Sequence, residues 1–172
     1  MIWTAPEVAR IQPSNVAGER AMLQGWLDFH RQTLRGKCAG LTADQLRLAA
    51  VEPSGLTLLG LVRHLSTVER FWFREMVAGQ RLPEIYVTDA DPDADFNDLD
   101  TADAAADLRI FVDECAAADA AVAELGLDHL FRSRRGNELS LRWVYLHMIE
   151  EYARHNGHAD LLRERIDGAT GD

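Results

Sequence analysis

Apolar residues recur at helical spacing in four long stretches, separated by clusters of glycine, proline, aspartate and asparagine. In the first, Val16 to Ala39, one face carries Leu23, Leu27, Leu34 and Cys38 with His30 in the same stripe, and Gly36 and Gly40 mark its end. Thr42, Ala43, Asp44 and Gln45 then read as a capping box on a short helical turn. The second stretch opens at Pro53-Ser54-Gly55, places Leu58, Leu61, Leu65, Val68, Trp72 and Met76 inward, and closes at Gly79. A third runs from Thr101 to Leu125 on Leu108, Phe111, Val112, Cys115 and Val122, with Gly126 as its stop. The fourth takes Ser140 as N-cap and continues to Asp167, just before Gly168. Only Glu84 to Thr88 shows any of the alternation that a strand requires.

This pattern predicts an all-α protein, a four-helix bundle formed by residues 1–172 as a single domain. The connections are unequal. A short link makes the first two helices antiparallel neighbours. The link from Leu82 to Asp100 is about 20 residues, long for a compact domain. At roughly 3.3 Å per extended residue it can run the length of a bundle. The expected order is therefore up-down-down-up, with the second and third helices parallel.

Composition narrows the classes without changing the fold. The chain has 172 residues, of which 47% are apolar and 27% charged, enough for one core without staples. A net charge of −10 argues against a nucleic-acid partner, because phosphate binding needs a basic face. No apolar run reaches the roughly 20 residues needed to span a bilayer, so no membrane partner is expected. The N-terminus has no basic region followed by an apolar stretch, which argues against a secretory signal. The two cysteines, Cys38 and Cys115, both lie in helical stretches, and a cytoplasmic location with both thiols filling core space is the simplest reading. Trp3, Trp26, Phe73 and Trp143 are more large aromatics than one narrow core needs, so a homodimer is expected.

The fourth helix carries the chemistry. At about 100° per residue, Leu141, Val144, Met148, Ala159, Leu162 and Ile166 fall near one line, with His155 inside that arc and Glu151 at its margin. Four residues apart, the two project from successive turns of one face. Burying either alone is costly, which leaves a salt-bridged pair or two ligands of a metal ion. His64, on the shoulder of the second helix, supplies a third group. Two imidazoles and a carboxylate suit zinc or a similar divalent ion, and three protein ligands leave room for water or substrate. The other histidines are weaker candidates: His147 faces about 100° from the core line, His158 lies at the rim, His30 reads as a core residue, and His129 is in a loop. Asp89, Asp91, Asp93 and Asp95 have the spacing of a calcium loop but lack its turn glycine, and Pro92 intervenes. Arg132, Arg134 and Arg135 form a basic loop, read as solvated charge, with an anionic ligand as the alternative.

The segments Gly55-Leu-Thr-Leu-Leu-Gly-Leu-Val-Arg-His64-Leu and Glu150-Glu-Tyr-Ala-Arg-His155-Asn-Gly157-His-Ala-Asp160 resemble the DinB-like four-helix-bundle superfamily. They are most similar to its short actinobacterial branch, related to the mycothiol-dependent maleylpyruvate isomerase. The resemblance covers nearly the whole chain, including the long central link. The superfamily's usual metal triad is a histidine on the second helix and a His-x-x-x-His on the fourth, the last followed by x-Gly. His64 matches the first and His155 the last, because Gly157 stands in the right place. Glu151 stands where many relatives carry histidine, and a glutamate there resembles the isomerase family, which binds zinc through a His, Glu, His set. The resemblance implies a divalent metal on His64, Glu151 and His155, zinc first and nickel as the alternative. It also implies mycothiol as co-substrate, a small-molecule electrophile as its partner, and a thiol S-transferase or isomerase activity. Two alternatives stay open: metal-dependent hydrolysis, and a non-enzymatic metal-binding or stress-related dimeric bundle.

Overall fold

A computed structural model describes residues 2–97 and 99–171. The elements are α1 (Glu19–Cys38), α2 (Ala43–Leu46), α3 (Leu58–Glu69), α4 (Ala94–Asn97), α5 (Ala104–Val122), β1 (Leu130–Arg132), β2 (Glu138–Ser140) and α6 (Leu141–Asp167). A π-helix, Arg70–Val77, continues α3 without a break. More than half of the chain is helical.

Helix starts follow the side chains that can take up the free N–H groups of a first turn. The Thr57 hydroxyl accepts from the Gly60 N–H at 2.9 Å, so α3 begins at Leu58 rather than at Pro53-Ser54-Gly55. Asp103 caps α5, Ser140 accepts from the Trp143 N–H at 3.2 Å, and Thr42 with Gln45 closes a reciprocal capping box on α2. At the far end of α6, Gly168 adopts φ +77° and its N–H reaches the Glu164 carbonyl, a left-handed stop that favours glycine.

The core is drawn from all four long helices: Leu27 and Leu34 of α1, Leu58, Leu61 and Leu65 of α3, Phe111 and Val122 of α5, and Val144, Met148 and Leu162 of α6. Val112, expected in the third stripe, is exposed. The second stripe departs further from expectation. Beyond Glu69 the buried residues are Phe73 and Val77, while Val68, Trp72 and Met76 are only half-buried. The cause is the π-helix, in which the Ala78 N–H bonds the Phe73 carbonyl five residues back. Each such turn takes more residues than an α turn, so the inward face slips along the sequence.

Two strands form one antiparallel pair, with Phe131 opposite Leu139. This corrects a purely α reading, and the alternation of Glu84–Thr88 does not form a strand. The strands have three residues each, too few for alternation to show, and the basic loop is their turn. The long link is also more ordered than a bare connection. Its α4 buries Ala94 and Asp95 against α3, seated by the missing side chain of Gly60, where a Cβ would lie 3.0 Å from Phe96.

Cross-helix pairs run in a fixed order. Between α1 and α6 they ascend together: Glu19 with Arg142, Gln24 with Tyr145, His30 with Asn156, and Lys37 with Arg163. Between α3 with its extension and α6 they oppose: His64 with His155, Glu69 with Tyr152, and Phe73 with Tyr145.

One buried group ties the four long helices together. Arg31 of α1 donates from Nε and Nη2 to the two carboxylate oxygens of Glu69 on α3, each at 2.7 Å. Its Nη1 reaches Asp119 of α5 at 2.9 Å, and the Tyr152 hydroxyl of α6 donates to Glu69 at 2.8 Å. Glu69 is fully buried. Glu69→Ala leaves Nε and Nη2 of the buried Arg31 guanidinium without their carboxylate acceptors, so it is expected to destabilise by about 3–5 kcal/mol, read from denaturant unfolding.

Glu114 of α5 is held by Arg70 and Arg74 of the π-helix. Burial works against its charge, but the two guanidiniums outweigh this and hold its carboxyl below the usual range. Its contribution is therefore present above the unfolded-state value, about 4.3, and is lost as pH falls through the folded one. Thermal midpoints below about pH 4.3 should accordingly fall less steeply in Glu114→Gln than in the parent.

Candidate metal centre

His64 reaches the centre from α3, and Glu151 and His155 from successive turns of α6. One ligand atom from each lies within 4.8 Å of the other two. Both imidazoles direct Nε2 at the same carboxylate oxygen, Glu151 Oε1, at 3.4 Å from His64 and 3.1 Å from His155. All three side chains are half-buried.

Asp95 fixes the far side of His64. Its Oδ2 lies 3.0 Å from His64 Nδ1, and Phe96 packs its ring on the same imidazole with centroids 5.0 Å apart. A carboxylate on the outer nitrogen sets the orientation of a metal-binding imidazole and raises its basicity. Sequence reasoning had placed Asp95 only in an acidic run. Its role depends on α4 docking at Gly60, a contact that no spacing rule encodes. His155 has no such partner: its Nδ1 is buried with none among the described residues, and His158 packs beside it with ring centroids 5.5 Å apart.

Charge is divided unevenly over the cluster. Burial lowers the pKa of His64, but the hydrogen bonds and charges of Asp95 and Glu151 outweigh it and raise the net value. Burial, then the proximity of His64, lowers His155. Burial opposes the Glu151 charge, yet its hydrogen bond to His64 and the neighbouring His155 hold the carboxyl below the usual range. Two imidazole nitrogens and a carboxylate oxygen aimed at one point form the donor set of a borderline divalent cation, and the cluster fits one. Among the described residues it is the one group of three or more such side chains able to hold an ion.

The remaining sequence candidates lie elsewhere. His147 stacks on Trp143 at 4.9 Å and approaches Glu150, away from the cluster. Asn156 bonds both the ring nitrogen and the carbonyl of His30, making it a satisfied internal histidine. Asp91 accepts from the Asp93 N–H and from Asn97, a turn rather than a cation loop. His129 contributes only backbone bonds.

The family model for mycothiol-S-transferase matches residues 22–168. The chain belongs to the mycothiol-S-transferase family. No curated protein and no solved structure matches it. The matched span contains all four long helices of this mycothiol-S-transferase family member except the first three residues of α1, and with them the complete His64, Glu151 and His155 cluster. No helix among the described residues is long and apolar enough to cross a membrane.

The electrostatics generate an ordered titration. In chelator-treated protein, the His64 imidazole should lose its proton at higher pH than His155. Asp95→Asn should lower the His64 midpoint and leave His155 nearly unmoved. Histidine chemical shifts followed by NMR against pH check both statements, and coincident midpoints would contradict the geometry.

Proposed function

We propose that this chain is a divalent-metal-dependent thiol S-transferase using mycothiol, with His64, Glu151 and His155 as the metal ligands. The observation that carries the reading is the convergence of these three donors, from two helices, in a member of the mycothiol-S-transferase family. A bound divalent ion supplies the positive charge that makes a substrate thiol ionise near neutral pH. Zinc suits two imidazoles and one carboxylate, with nickel as the alternative.

The chain's own residues supply orientation and exclusion. Asp95 holds the His64 ring so that Nε2 faces the centre, and Phe96 covers that ring. The thiol must come from outside. Burial pushes the Cys38 thiol up to about 12 and raises Cys115 as well, so neither offers a thiolate at neutral pH. Reliance on a small thiol is consistent with a cytoplasmic location. The same reading takes the topology as up-down-down-up, supported by the ascending pairs of α1 with α6 and the opposing pairs of α3 with α6.

Purified protein assayed with mycothiol and 1-chloro-2,4-dinitrobenzene should form the thioether, lose that activity to a chelator and regain it with zinc. His155→Ala should remove most bound metal by mass spectrometry, and His147→Ala should leave metal content nearly intact. Asp95→Asn should weaken metal binding about 10–100-fold. Equal turnover with and without thiol would instead identify a hydrolase, and unchanged metal content in His155→Ala would sink the metal assignment.

A further inference from the structure

A cavity of about 510 Å³ lies between the π-helix, the β1–β2 turn and the first turn of α6. Its size falls in the range of small-molecule sites. Phe71 and Trp72 come from the π-helix, Trp143 from α6, and Arg134, Arg135 and Asn137 from the turn. The walls are aromatic and the rim is cationic, in a chain whose net charge is −10. Arg134 is partly neutralised by Glu75 at 3.0 Å and lies over the Phe71 ring, 4.8 Å from its centroid. Arg135 is exposed and has no ion pair among the described residues, which leaves its charge for a ligand.

A cluster of rings extends from the cavity along α6 as far as His147. The Trp72 and Trp143 centroids are 5.2 Å apart, and each lies 4.9 Å from His147, one turn of α6 before Glu151. From Trp143 to Glu151 the rise along the helix is about 12 Å. The cavity therefore stands about two helical turns from the candidate centre along α6. The π-helix shapes it, since Phe73 takes the inward position and leaves Phe71 and Trp72 to line the cavity.

We propose that this cavity binds an aromatic anion, its ring against Trp72 and Trp143 and its carboxylate or sulfonate on Arg135. On the transferase reading, on which this last assignment rests, that molecule is the electrophile. A planar guanidinium recognises a carboxylate through paired N–H donors, and indole faces recognise a flat ring.

Isothermal titration of the purified protein with 2-naphthoate, in the absence of any thiol, tests the proposal. Naphthoate should bind one site, and its neutral amide should bind at least about tenfold more weakly. Arg135→Ala should weaken naphthoate about tenfold, as should Trp143→Leu, while His155→Ala should leave its affinity unchanged. Equal affinity for acid and amide, or no effect of Arg135→Ala, would overturn the anion assignment. Loss of binding in His155→Ala would overturn it too, by putting the carboxylate on the metal. Because no thiol is present, the outcome is independent of turnover. Naphthoate binding without thiol transfer would remove the electrophile role and keep the site, and transfer without naphthoate binding would remove the site alone.

Discussion

Arg31 and Glu69 face each other where water does not reach, and the rest of the molecule is arranged around that fact. A buried carboxylate or guanidinium is tolerated only when its hydrogen-bonding capacity is met inside the protein. Meeting it here takes Asp119 from α5 and Tyr152 from α6, so helices far apart in sequence are held in one register. Hydrophobic burial alone would let the helices slide or rotate at little cost. A bidentate pair with fixed angles does not.

The register has chemical consequences on both sides of Glu69. One and a half turns before it, His64 faces Glu151 and His155. Immediately after it, the winding changes at Arg70, and Phe71 and Trp72 come to line the cavity beside the hairpin. The candidate metal centre and the cavity are therefore placed by one continuous helix with two windings. Arg70 and Arg74, both in the wider segment, are anchored on Glu114 of α5, which holds that segment against its neighbour.

Much of this was legible in the sequence where it rested on short-range rules. Ser140, Gly168 and the Thr42–Gln45 box are local hydrogen-bonding devices, and the structure has them at those positions. Glu151 and His155 could be put on one face from periodicity, because four residues on a helix fix a direction and an apolar face fixes the inside. Joining His64 to them rested on the resemblance of the two segments to the DinB-like superfamily. What escaped was set by contacts between distant segments. The unbroken α period of Leu65, Val68 and Trp72 hides the change to π winding, which brings Phe73 and Val77 inward instead. Three-residue strands carry no alternation. Asp95 became the outer partner of His64 only through α4 lying on Gly60.

The wide winding of Arg70–Val77 also reads as a record of length. A π turn is what remains when one residue is added to an α-helix whose flanks stay in place. A chain shorter by one residue in that segment could keep the Arg31–Glu69 pair and the histidines before it. Its aromatic side chains would be turned by about 100°, presenting a different wall to the hairpin. Insertion and deletion at this point thus offer descent a way to exchange the cavity's lining in one step while the half of the helix that carries His64 is inherited intact.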